Sequence, residues 1–142
     1  RNSILIGWPK GGFSIESAGT ARSYFVDNTS EFRNNLLHSN DAAAIYRTDA
    51  AALAIVTPAQ MKTKAEAGGS VTLATADAAM LNAPFYSTAP NFLPKTGSPA
   101  LTGVSFTGMN SYFVATTFRG AMGTADWTTG GWANWDPQNK AY

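Results

Sequence analysis

The segment from Ser111 to Tyr142, SYFVATTFRGAMGTADWTTGGWANWDPQNKAY, constrains the fold most. Three of the four tryptophans of the chain, Trp127, Trp132 and Trp135, fall close together and alternate with Gly120, Gly123, Gly130 and Gly131. Tryptophan carries a large apolar body and one N–H that needs a partner, while glycine lets the backbone turn tightly beside it. Such a tail forms either a packed plug or an adhesive surface. It contains little of the chemistry that catalysis requires.

The 142 residues fit one domain, 1–142, and a hydrophobic content of 44% is enough for a core. Charged residues make up only 13%, well below the usual share. Ala, Thr, Ser, Gly and Asn take their place, a composition suited to an extracellular protein with a hydroxyl- and amide-rich surface. A net charge of +1, with scattered basic residues, argues against nucleic acid or an anionic membrane surface as a partner. The absence of cysteine removes disulfides and thiolate metal sites. No apolar run approaches the roughly 18 residues of a spanning helix.

Turn residues divide the first forty positions into predicted strands over 3–8, 12–16, 24–27 and 31–38. Residues 41–56 are alanine-rich and admit helix or loop. Thr57-Pro58-Ala59-Gln60 combines an N-cap, a first-turn proline and a glutamine three residues after the cap, and Gly68-Gly69 follows as a stop; the spacing predicts a helix over Pro58 to Ala67. A strand over 71–74 and a single helical turn over 77–81 are expected next. From Asn82 onward Pro84, Pro90, Pro94, Pro99 and Pro137 forbid long regular elements, so 82–142 reads as a wrapping cap on the coils of 1–81. In this arrangement Trp127 and Trp135 are expected to be buried against the β-layer.

The stretch Ala89 to Gly103, with its P-x-F and G-S-P-A steps, resembles the exit segment of right-handed parallel β-helix proteins. Phe32-Arg33-Asn34-Asn35-Leu36-Leu37-His38 is similar to one of their coils. The tail, with Phe118-Arg119-Gly120-Ala121-Met122-Gly123, Asp126-Trp127 and Trp132 to Pro137, resembles the carboxy-terminal region of a group of Bacteroidota cell-surface proteins and lipoproteins. The resemblance implies a mainly β fold, the end of a β-helix-like solenoid that carries a short helix and an aromatic cap. It also implies a longer parent chain and a location on the outer face of the bacterial outer membrane, or secretion.

Catalytic signatures are sparse. His38 is the sole histidine, no G-x-S-x-G elbow occurs, and Gly120 to Gly123 does not match a phosphate loop. Asp126 and Asp136 flank the tryptophans as a glycosidase pair would, but both also sit where a turn needs a cap. Arg33 and Arg47 with Asp49 are the nearest approach to a polysaccharide lyase set. The reading is therefore a non-catalytic structural or protein-interaction module without cofactor or metal. A carbohydrate-binding surface formed by Trp127, Trp132, Trp135, Arg119 and Asp126 is the alternative, and a remnant of a β-helix lyase or hydrolase a further one. The apolar strand Ile4-Leu5-Ile6 is expected to pair through its edge with an upstream segment, another copy or a different protein.

Overall fold

The computed structural model describes residues 1–139. Strands β1 (Ile4–Trp8), β3 (Leu36–Ser39) and β5 (Val71–Thr72) form a parallel sheet in the order β1-β3-β5. Strands β2 (Phe13–Ile15) and β4 (Tyr46–Thr48) form a parallel pair, and β6 (Leu81–Ala83) and β7 (Asn91–Pro94) an antiparallel one. Helices α1 (Ala18–Ala21), α2 (Ala50–Leu53) and α3 (Pro58–Ala67) lie between the parallel strands.

The expectation of a mainly β solenoid end is overturned. Among the described residues helical turns take up 26% against 17% in strands, no sheet exceeds three strands, and the fold is a small α/β one. The physical reason lies in short polar caps that divert the chain into helical turns. Ser17 accepts the Thr20 N–H at 3.2 Å and starts α1, which runs into a π-helical turn over Arg22–Val26. The expected strand at 24–27 is lost to that turn, because the cap outweighs the β preference of Tyr24, Phe25 and Val26. Asp41 starts a 3₁₀ turn at Ala42–Ala44, and Asp49 starts α2 by accepting the Ala52 N–H at 2.7 Å. Helix α3 has the bounds that its capping box predicts, with Thr57 Oγ1 accepting from Gln60 N–H and the Gln60 side chain accepting from Thr57 N–H at 2.9 Å.

The central sheet has apolar side chains on both faces, as parallel sheets require. Leu37 of β3 enters a cluster with Ile15, Tyr24, Tyr46, Val56 and Met61, while adjacent Leu36 enters a second cluster with Leu73, Leu81 and Ala100. Ile4 and Ile6 of β1 pack on that second cluster, whereas Leu5 packs on the first. The alternation of strand side chains thus splits the core in two.

The Asn34-Asn35 pair, singled out in the sequence, prepares β3. Asn34 adopts a left-handed backbone (φ 57°), and its side-chain amide donates to the Gly103 carbonyl at 3.0 Å. The Asn35 Oδ1, buried under β1, accepts the Ser3 N–H at 2.9 Å.

Candidate interaction groove

Strand β1 is an edge of its sheet. The Ser3 carbonyl accepts from Leu36 N–H at 2.8 Å, and the Ser3 N–H donates to Asn35. The Gly7 N–H also turns toward β3, where it meets His38 Nδ1 at 3.4 Å. Because backbone groups alternate in direction along a strand, the N–H and C=O of Ile4 point to the open edge, up to the irregularity where the register with β3 shifts between Leu5 and Trp8. The tail reaches this edge at its start, where Gly120 N–H donates to the Asn2 carbonyl at 2.7 Å.

An apolar groove of about 410 Å³ runs beside that edge. Ile4, Ile6 and Trp8 line it from β1, and Phe85, Met122 and Trp135 line it from the later chain. Two glycines make the close approach of these segments feasible. Gly7 (φ 77°) lies under the Phe85 ring, where an added Cβ would stand 2.6 Å from ring carbons, and Gly120 (φ 78°) would bring a Cβ to 2.9 Å from Ile4 Cδ1.

Trp127 and Trp135 are not buried as the sequence suggested, being 51% and 41% exposed, and Trp132 is 64% exposed. The second core cluster is already closed by Leu73, Leu81 and Ala100, which leaves the indoles to pack locally. Trp127 donates its indole N–H to the Ala121 carbonyl at 2.8 Å, and Trp132 donates to the Trp127 carbonyl at 2.8 Å. Their rings stack with centroids 5.3 Å apart and planes within 2°. Trp127 and Trp135 line the groove, and Trp135 meets Phe92 edge-on at 5.7 Å.

Arg119 and Asp126 do different work from the tryptophans. Arg119 is buried; its guanidinium donates to the carbonyls of Pro99 at 3.2 Å, Gly69 at 3.0 Å and Gly103 at 3.0 Å, and burial pulls its pKa down. Asp126 accepts the Thr128 N–H at 2.9 Å at the start of the 3₁₀ turn Trp127–Thr129. Asp136 accepts both contacts from the Asn139 amide at 2.9 Å. Arg47 donates to the Lys10 carbonyl at 2.9 Å, while Asp49 is engaged at α2. Among the described residues, no group of three or more His, Asp or Glu side chains is placed to hold a metal ion.

The feature that sequence reasoning missed is the participation of Trp8, Phe85 and Met122 in one groove with the tail. Its only sequence signal is the pair of glycines at 7 and 120, which meet their large neighbours across the fold. No family model, curated protein or solved structure matches the chain.

Proposed function

We propose that the chain is a non-catalytic protein-interaction module that takes an extended strand of another protein along the open edge of β1. The observation that carries this reading is the coincidence of the open edge of β1 at Ile4 with an apolar, aromatic-rimmed groove that Ile4 and Ile6 line. Strand addition uses both features at once, with main-chain hydrogen bonds for affinity and apolar sockets for alternate side chains. The engagement of His38, Asp49 and Asp126 in structural hydrogen bonds supports the non-catalytic part of the reading. No helix among the described residues is long and apolar enough to cross a membrane. The low charge content and the resemblance in the tail support a setting at the bacterial cell surface.

The test is calorimetric titration with a synthetic peptide of alternating valine and threonine, paired with amide exchange. Saturable binding that slows exchange at Ile4, and is lost when alternate peptide amides are N-methylated, is the expected result. Unchanged exchange at Ile4 overturns the proposal.

A second reading, carbohydrate binding, draws on Trp132, whose ring is outside the groove and 64% exposed. Neutral polysaccharide retarding the native chain in affinity electrophoresis, but not Trp132→Ala, supports it; equal migration of both excludes it.

A further inference from the structure

Away from the groove, and sharing no lining residue with it, a cavity of about 240 Å³ opens between the loop 28–33 and α3. We infer that this cavity is a binding site for a small carboxylate. Its walls hold Lys64 from α3 and Arg33, Glu31, Ser30 and Phe32 from the loop.

Lys64 is half-buried, and its ammonium sits 5.1 Å from the Tyr24 ring centre and 5.7 Å from that of Phe25. It donates to Asn28 Oδ1, a neutral acceptor, and makes no ion pair among the described residues. Ring faces and one amide stabilise an ammonium less completely than a carboxylate does. Glu31 is the carboxylate in the wall, and it is already taken: Arg1 engages both of its oxygens through Nε and Nη2. That hydrogen bonding, added to by the charges of Arg1 and Arg33, holds the Glu31 carboxyl below its usual range, so it stays ionised and committed to Arg1. Arg33 is an exposed wall residue whose stem lies against Gly68, with no side-chain hydrogen bond among the described residues.

The cavity therefore carries one half-buried cation, Lys64, without an ion pair among the described residues, and beside it the exposed guanidinium of Arg33, while its carboxylate Glu31 is engaged by Arg1. Phe32 gives the wall an apolar part, its ring stacked on Phe13 with centroids 4.0 Å apart and planes within 7°. A planar carboxylate suits this setting, because a guanidinium offers paired parallel N–H groups while the lysine supplies a point charge. The carboxylate of a sugar acid and that of a peptide terminus present the same chemistry.

Titration of the folded chain followed by amide chemical shifts tests the site, with glucuronate and an N-acetylated dipeptide as probes and glucose and inorganic phosphate as controls. Saturable shifts at Arg33, Ser30 and Lys64 with at least one carboxylate are expected, with a dissociation constant on the order of 1 mM. Lys64→Met, which keeps the apolar stem over the rings, and Arg33→Gln are each expected to weaken binding at least tenfold, with the dispersed spectrum retained. The carboxylate that binds more tightly names the source. Absence of saturable shifts with both carboxylates, equal affinity for glucose or phosphate, or affinity unchanged in both variants overturns the inference.

Discussion

Arg119 and Gly69 meet across fifty residues of chain, where Nη2 of the guanidinium donates to the Gly69 carbonyl at 3.0 Å. The same nitrogen reaches Gly103, and Nη1 reaches Pro99, so one side chain fastens the tail to the turn after α3 and to the 99–103 corner. Arg119→Met keeps the stem but leaves these carbonyls without their donor. A loss of about 3 kcal/mol is expected in urea denaturation, with Arg119→Lys intermediate because an ammonium cannot span three separated acceptors. An unchanged midpoint for Arg119→Met would show that the clamp contributes nothing.

Thr57→Ala removes the hydroxyl half of the capping box on α3. A cost of about 1 kcal/mol is expected, and Gln60→Ala should remove part of the same energy rather than add independently, because the two side chains cap each other. A double-mutant cycle measures that coupling.

Tyr24 has its hydroxyl buried without a partner among the described residues, and burial pushes its pKa up to about 12 from 10.0. The folded form keeps the phenol proton after the unfolded chain has released it. Stability is thus intact below pH 10.0 and falls as pH climbs from 10.0 towards about 12. Tyr24→Phe removes an unsatisfied polar group and should be neutral or stabilising at neutral pH. It should also flatten the alkaline fall. Denaturation midpoints of both proteins across this range decide the matter, and a strongly destabilised Tyr24→Phe would reveal a partner for the hydroxyl.

Met61 is fully buried in the first core cluster, whereas Trp132 is a majority-exposed ring resting on Trp127. Met61→Ala is expected to cost about 2 to 5 kcal/mol. Trp132→Ala should cost about 1 kcal/mol, the scale of one aromatic pair. Equal losses in thermal denaturation would place Trp132 in the core after all.

The parts of the fold legible in the sequence are those determined by neighbours along the chain. Helix α3 is one, since Thr57, Pro58, Gln60 and Gly68 supply its start and stop within a few residues. Strands β1 and β2 are others, each short and flanked by turn residues. The turn over 22–26 was not legible, because its cause is the Ser17 cap upstream rather than its own β-favouring residues. The groove was still less so. Which face of Trp135 meets solvent depends on where Phe92 and Ile4 come to lie, and composition carries no information on that. The structural duty of Asp126 was readable as a turn cap; the three acceptors of Arg119 were not.

The side chain of Asn2 imitates a strand toward Ser105: its amide donates to the Ser105 carbonyl at 3.0 Å and its Oδ1 accepts the Ser105 N–H at 3.1 Å. With the Gly120 bond to the Asn2 carbonyl, the lead into β1 is held by segments more than a hundred residues later in the chain. Contacts of such separation incur the largest loop-closure cost and tend to form last. Residues 1–3 are therefore among the last to be fixed. A protease cut between Ser105 and Arg119 should, without touching β1, release residues 1–3 and speed amide exchange there, so that this lead and the segment around Gly120 open as one cooperative unit.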